Sequence, residues 1–328
     1  MVHLVYNEKS YLDILHRYAQ LSGGAVVDGL LTFPPAFADG SVEVMTLPNG
    51  LQISLSDYTL NQDFLLTRQK VKEEFYTLRF DELTITEKMK LTIDNETVTD
   101  QQHYRAAAML TSSLFDLEYF ASKGSSIKGV NVLLDREWLA TYLGISSHDE
   151  VLQHYISLKT SSFNLEPMDA GYRELMNEVL GSPPEERTPI NRVMLQNRIM
   201  LLVERFFTHL YHKLQNIETP LQINNDEIQR IMDAEALLVK DFSLPAPTIA
   251  ELARHSAMSE TKFKNQFRKI YQSGPYEYFQ KNRMQRARYM LLSRRYSVKE
   301  TGLQLGYNNL SNFTIAFKKE FGLLPSEV

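Results

Sequence analysis

The sequence predicts an α+β protein, with an N-terminal β-domain followed by helices and an all-α C-terminal domain built from two helix-turn-helix units. Three observations predict it. First, the chain repeats itself near its end. Phe263, Phe267, Arg268, Lys269, Tyr271, Pro275 and Glu277 recur 50 positions on as Phe313, Phe317, Lys318, Lys319, Phe321, Pro325 and Glu327, and a spaced duplication of this length argues for two copies of one supersecondary unit. Second, from Ala25 to Leu134 short apolar runs alternate with turn residues, the pattern of many short strands. Third, charge is divided. Residues 226–328 carry sixteen Lys and Arg against eleven Asp and Glu, a net +5, whereas residues 1–225 carry nineteen against twenty-nine, a net −10. The expected domains are therefore 1–225 and 226–328, with the two repeated units at 248–271 and 297–321.

Residues 1–22 read as one amphipathic helix, with Tyr11, Leu15 and Tyr18 at i, i+4 and i+7 and Gly23-Gly24 as its stop. Val42–Leu47 and Leu51–Tyr58 then flank Pro48-Asn49-Gly50, and Asn-Gly between such runs is a strong hairpin signal. Further strands are expected at 64–69, 74–80, 83–93, 104–110, 114–120 and 127–134. The set fits a sandwich or a barrel, and the pattern alone does not choose. Short helices are expected at 136–143, closed by Gly144, and at 150–158, while Pro183-Pro184 marks a surface loop. A long helix at 191–214 places Leu195, Ile199, Leu202, Phe206 and Leu210 near one face. Periodicity allows that face either to cover the β-domain or to pair with a second copy of the chain.

Residues 226–240 read as another helix, and 242–247, with two prolines, as a hinge. In the first repeated unit Thr248 can cap a helix bearing Ile249, Leu252 and Ala253, and Ser259 can cap a second. On that second helix Phe263, Phe267 and Tyr271 make one buried stripe. In the second unit Val298, Thr301 and Leu305 face inward, Gly306 breaks the helix, Asn309 caps the next, and Phe313, Phe317 and Phe321 form the matching stripe. Small Ala253 and Gly302 permit close helix packing at comparable places. Tyr276–Leu292 joins the copies as a rigid connector, which would set the two second helices one DNA turn, about 34 Å, apart. Thr261, Lys264, Asn265 and Arg268 lie off the first stripe, and a short polar-faced helix of this kind has the width of the major groove. Each exposed polar residue alone is a weak signal. Four on one face of a repeated unit in the basic part of the chain make a stronger one.

At these residues a family resemblance becomes visible. Leu252-Ala253, Ser259, Phe263 and Phe267, then Arg283-Met284 with Ala287 and Leu291-Leu292, then Gly306-Tyr307, Phe313, Phe317-Lys318-Lys319, Phe321-Gly322 and Pro325-Ser326 resemble the AraC/XylS family of bacterial transcription regulators. The resemblance covers roughly the last quarter of the chain. It departs from the family pattern where Thr301-Gly302 replaces an Ile-Ala pair, where Ile315 replaces Arg, and where the sequence stops at Val328 before an aromatic-Arg pair. It implies a cupin-like fold for the N-terminal domain, a small-molecule effector bound there, double-stranded DNA and RNA polymerase as partners, and a homodimer. Residue by residue, it implies that Thr261, Lys264 and Asn265 read bases and Arg268 holds phosphate. In the second unit it gives Ser311, Asn312 and Thr314 base or backbone contacts, and Lys318 a phosphate. Leu47-Pro48-Asn49-Gly50-Leu51 and Trp138-Leu139 before Gly144 are most similar to the siderophore-responsive branch, whose effector is an iron–siderophore complex.

Composition bounds the alternatives. At 328 residues and 43% hydrophobic the chain can build two ordinary cores. No apolar run approaches membrane-spanning length, no signal peptide is expected at the N-terminus, and a cytoplasmic protein is the expectation. Zero cysteines remove disulfides, thiol nucleophiles and Cys-based zinc sites together. His209 and His212, at i and i+3, lack a third metal ligand in the sequence nearby, so no metal or cofactor is expected. No phosphate-cradling Gly loop and no nucleophile elbow is present, so the chain is not expected to be an enzyme. The alternatives are a cupin-type enzyme assembled from scattered residues, or an adaptor whose helical domain contacts protein rather than DNA.

Overall fold

The computed structural model of the chain describes residues 1–93, 96–101, 105–145, 166–181, 188–215, 225–271, 273–292 and 294–328. They fall into two compact units, residues 1–168 with 175–222 and residues 169–174 with 223–328. Among the described residues no helix is long and apolar enough to cross a membrane.

The first unit holds thirteen strands among its described residues. They are β1 (Val2–Tyr6), β2 (Val26–Val27), β3 (Leu30–Thr32), β4 (Ala38–Thr46), β5 (Gln52–Leu60), β6 (Phe64–Arg68) and β7 (Phe75–Thr84). Then come β8 (Met89–Ile93), β9 (Glu96–Gln101), β10 (Arg105–Ser112), β11 (Leu117–Ala121), β12 (Ser126–Asp135) and β13 (Glu166–Pro167). One sheet runs β13-β10-β7-β12-β5-β4-β3-β2 and the other β1-β6-β11-β8-β9. A single apolar core takes residues from both, Val42, Leu83 and Ile127 from the first and Phe64, Leu91 and Leu117 from the second. The β4–β5 hairpin turns where expected: Gly50 N–H donates to Leu47 carbonyl at 2.9 Å, Gly50 adopts φ 82°, and the strands register Thr46 with Gln52.

Three expectations are corrected here. The N-terminus is not one helix, because Val2–Tyr6 pairs in parallel with β6 and helix α1 spans only Tyr11–Ser22, capped by Ser10 and ended by Gly23 at φ 77°. The alternation Val2, Leu4, Tyr6 was the available strand signal. The run 83–93 is two strands, divided by a turn in which Ser122 Oγ accepts from the N–H groups of Glu87 and Lys88 at 3.3 and 3.0 Å. Strand β9 was not anticipated, since Glu-Thr-Val-Thr-Asp-Gln carries little apolar signal; among the described residues it is an edge strand paired with β8. The expected helix at 150–158 and loop at 183–187 lie outside the described residues.

Helix α2 (Arg136–Leu143) is capped by Asp135 and closed by Gly144 at φ 66°. Its Trp138 indole N–H donates to Asn49 carbonyl at 3.2 Å, pinning the hairpin tip. Helix α3 is Ala170–Leu180 and helix α4 is Pro189–Gln215. The α4 face bearing Leu195, Ile199, Leu202, Phe206 and Leu210 is buried within this single chain, and Gln196 accepts from Asn49 N–H at 2.9 Å. Ile190, Val193, Met194 and Leu201 are exposed elsewhere on the same helix.

In the second unit, helix α5 (Asn225–Leu238) contributes Ile231, Ala234 and Leu238 to a core shared with Leu252, Phe263 and Phe279. Residues 242–247 are not a free hinge, because Phe242 packs against this core and against a second one built on Met284, Leu305, Phe313 and Phe317. A buried ion pair completes the unit. Arg173 donates to both carboxylate oxygens of Glu235 at 2.8 and 2.9 Å, and Tyr278 hydroxyl donates to Glu235 Oε1 at 2.8 Å, with Glu235 2% exposed. Removing one partner of such a pair leaves an uncompensated charge and costs about 3–5 kcal/mol. A fragment of residues 223–328 should therefore melt lower than the same unit in the full chain, and one starting at 243 should not fold. Glu235→Gln should raise the melting temperature of the 223–328 fragment and lower that of the full chain, read by circular dichroism; the same sign in both would refute the role given to Arg173.

Candidate nucleic-acid interface

Two helix pairs follow the same construction. Helix α6 (Ile249–His255) precedes α7 (Glu260–Tyr271), and α9 (Val298–Gln304) precedes α10 (Leu310–Phe321), with α8 (Pro275–Leu292) between the pairs. Reciprocal capping boxes open the first helix of each pair, Thr248 with Glu251 and Ser297 with Glu300. Hydrogen bonds from the Thr248 and Ser297 backbone and hydroxyl groups hold the two glutamates below their usual carboxylate range. These caps lie 49 residues apart, whereas α7 and α10 start 50 apart. The second turn is thus one residue longer. It turns through Gly306 at φ 73°, and the first through Ala257 at φ 52°.

The second helix of each pair is held by aromatic burial. Phe263 and Phe267 are 0% exposed with ring centroids 5.5 Å apart, and Phe313 and Phe317 are 0% exposed at 5.9 Å. Burying each ring contributes about 1.5–3 kcal/mol. This burial fixes which side of each helix remains outside. On α7, Thr261, Lys264, Asn265 and Arg268 are all exposed and recur at i, i+3, i+4 and i+7, one stripe opposite the phenylalanines. Ser259 caps the helix, accepting from Lys262 N–H at 3.3 Å. On α10, Ser311, Asn312 and Lys318 are exposed, and Asn309 Oδ1 accepts from Ser311 N–H at 2.8 Å. Thr314 is half-buried and its hydroxyl donates to Leu310 carbonyl at 2.9 Å, so its donor is spent on the helix itself. Ile315 is 66% exposed on the same helix.

Two supporting residues hold the second pair. Arg283 of α8, although quoted in the sequence motif, had no role assigned from sequence. Its Nε donates to Leu305 carbonyl at 2.6 Å, a second bond runs from Nη2 to the same oxygen, and the guanidinium lies 4.2 Å from the Tyr307 ring centroid. Burial lowers its pKa from the ordinary arginine value, and the carbonyl and ring face stand in for water around the cation. Gly302 lies against Leu310 and Phe313: a Cβ there would sit 2.9 Å from Leu310 Cδ2 and 3.3 Å from Phe313 Cδ1. A side chain at Gly302 would displace the Leu310 methyl and press on the Phe313 ring. The expectation of close packing at Ala253 and Gly302 matches both residues' burial.

Among the described residues no group of three His, Asp or Glu is placed to hold a metal. His209 Nδ1 instead lies 2.5 Å from Glu166 Oε1.

Residues 252–328 match the family described as "Helix-turn-helix domain". The C-terminal part of the chain is a helix-turn-helix domain. A curated relative, the HTH-type transcriptional regulator ArgR of Pseudomonas aeruginosa, is 29% identical over 94 residues, which are 28% of this chain and 29% of that protein. The chain thus spans less than a third of that relative's length. Among solved structures, a probable AraC family transcriptional regulator from Rhodopseudomonas palustris is 23% identical, with a TM-score of 0.27, covering 30% of this chain and 93% of that one. An apo ToxT variant from Vibrio cholerae is 14% identical, with a TM-score of 0.33, covering 86% of this chain and 98% of that one.

The Gly302 contact makes a prediction with a change of sign. Gly302→Ala should destabilise the full chain, because Leu310 must move. In a Leu310→Ala background the same substitution should stabilise by about 1 kcal/mol, the helix-propensity difference between the two residues. Thermal melts of the four proteins test it, and a stabilising Gly302→Ala in the parent chain would refute the packing account. Separately, Arg283→Lys should lose the two-donor hydrogen bonding to the Leu305 carbonyl and destabilise by about 1.5–3 kcal/mol, read in the same melts.

Proposed function

We propose that this chain is a sequence-specific DNA-binding transcription regulator. The observation that carries the reading is the α7 surface: Thr261, Lys264, Asn265 and Arg268 form one exposed stripe on a helix fixed from behind by Phe263 and Phe267, within the C-terminal residues 226–328 of net charge +5 that contain the helix-turn-helix domain. Lys264 and Asn265 offer the donors and acceptors that read purine edges, and Arg268, a turn further on, offers a phosphate contact. We read α9–α10 as a second helix-turn-helix unit in which Ser311 and Asn312 read bases and Lys318 holds phosphate. Thr314 reaches DNA by its methyl group, since its hydroxyl is engaged. The similarity to the Pseudomonas transcriptional regulator over 94 residues supports the reading.

The first unit is proposed as a cupin-like sensor whose effector shifts the regulator between states of different DNA affinity. The iron–siderophore complex is one candidate effector, on the Leu47–Leu51 and Trp138 resemblance. The exposed Ile190, Val193, Met194 and Leu201 of α4 are proposed as a homodimer contact. RNA polymerase as partner and a cytoplasmic location belong to the same reading, and the chain is proposed not to be an enzyme.

The two reading helices should contribute unequally, because Ile315 and the engaged Thr314 leave α10 fewer hydrogen-bonding groups than α7. Enrichment of random DNA by the full-length protein should return a site with stronger sequence information in one half. Asn265→Ala should relax preference at particular base pairs by about 1–3 kcal/mol. Lys318→Ala should weaken binding about uniformly across sequences and reduce the salt slope by about one. Failure to enrich any sequence, or an Asn312→Ala effect larger than that of Asn265→Ala, would overturn the assignment.

A further inference from the structure

The larger sheet of the first unit carries polar side chains where its core should be apolar. Strand β7 turns Thr77, Arg79 and Asp81 inward between Phe75 and Leu83, β12 turns Gly129 and Asn131 inward between Ile127 and Leu133, and β5 turns Ser54 and Ser56 the same way before Tyr58. On this face β7 and β12 are apolar at the ends and polar in the middle. Register brings these middles together in two rows across four neighbouring strands, Val44–Ser54–Asn131–Arg79 and Val42–Ser56–Gly129–Asp81. The rows floor a cavity of about 80 Å³ roofed by tyrosines, among them Tyr11 and Tyr18 of α1 and Tyr6 of β1.

Polar groups in such a place normally satisfy one another, and these do so only in part. Arg79 Nε donates to Asp81 Oδ2 at 2.9 Å, but Asp81 Oδ1 and Asn131 Oδ1 are buried without a hydrogen-bond partner. An unsatisfied buried acceptor carries a desolvation penalty and calls for a reason. Gly129 supplies the room: a Cβ there would lie 2.6 Å from Asp81 Oδ1, so only glycine lets the carboxylate lie over that strand. Arg79 and Asp81 cancel in charge, and burial pushes the hydroxyls of Tyr11, Tyr18 and Tyr58 up, so those three stay neutral. Among the residues that line this cavity, an ion would find no uncompensated opposite charge, since Arg79 and Asp81 are the charged ones and pair with each other.

We infer that this cavity binds a small net-neutral polyol, whose hydroxyl groups donate to Asp81 Oδ1 and Asn131 Oδ1 and whose C–H face lies on the tyrosine rings. A cavity of about 150 Å³ takes benzene, so 80 Å³ suits a ligand, or the inserted end of one, of roughly six non-hydrogen atoms or fewer. That size excludes an iron–siderophore complex from the cavity as it stands.

The inference deepens the sensor half of the proposed function, yet it is read without DNA, so the two can fail separately. Calorimetry on the full-length protein would use glycerol and ethylene glycol as the polyol arms, with serine as a zwitterion and a ferric siderophore as contrasts. At least one polyol should bind, and Asn131→Leu should weaken it more than tenfold. The same variant without ligand should melt roughly 2–4 °C higher, since it removes an unpartnered acceptor. Ser56→Ala, a milder change, should weaken binding while leaving the melt unchanged. Binding of serine or the siderophore in place of both polyols, polyol binding indifferent to Asn131→Leu, or a lower melt for that variant would each overturn the inference.

Discussion

Four phenylalanines with no exposed surface, Phe263 with Phe267 and Phe313 with Phe317, are the contact on which the outer face of the C-terminal domain depends. Each pair lies along one side of a twelve-residue helix. A helix this short has little stability alone in water, and its orientation is decided by the face it must bury. Once the rings are inside, Lys264, Asn265 and Arg268 have no choice but to point outward. Truncating one such ring to Ala removes about 3–5 kcal/mol, a large fraction of a domain's stability.

Around that contact the two halves of the domain are tied by single residues. Phe242 reaches both aromatic cores, and Arg283 carries α8 onto the carbonyl of Leu305, the residue that caps the end of α9. These ties hold α8 against both aromatic cores. Glu235, held by Arg173 and Tyr278, fixes α5 to the same body. A buried ion pair is weak evidence for net stability, and its consequence here is specificity: α5 has one seat.

The helical domain was largely legible in the sequence because its signals are local and duplicated. Caps at Thr248, Ser259 and Asn309, the stop at Gly306 and the aromatic stripes all lie within one or two turns of what they control. What escaped notice was non-local. The one-residue difference between the two turns shows only when the capping boxes are aligned as well as the phenylalanines. The packing reason for Gly302 needs Leu310 across the turn, and the duty of Arg283 needs a carbonyl 22 residues away. In the β-domain, hairpin β4–β5 could be read from Pro48-Asn49-Gly50, whereas β1 and β9 take their strand character from partners distant in sequence or from an edge position. The polar floor of the cavity was invisible for the same reason. Ser54, Asn131, Arg79 and Asp81 are unremarkable along the chain and meet only when β5, β12 and β7 are placed side by side.

The central claim is that both helix pairs enter the major groove of one DNA duplex on the same face. Methylation interference at guanine N7, an atom that lies in the major groove, reads this directly on an enriched site. The account predicts two interference patches centred about 10–10.5 base pairs apart, the stronger beneath α7. A single patch, or binding indifferent to methylation at guanine N7, would contradict it.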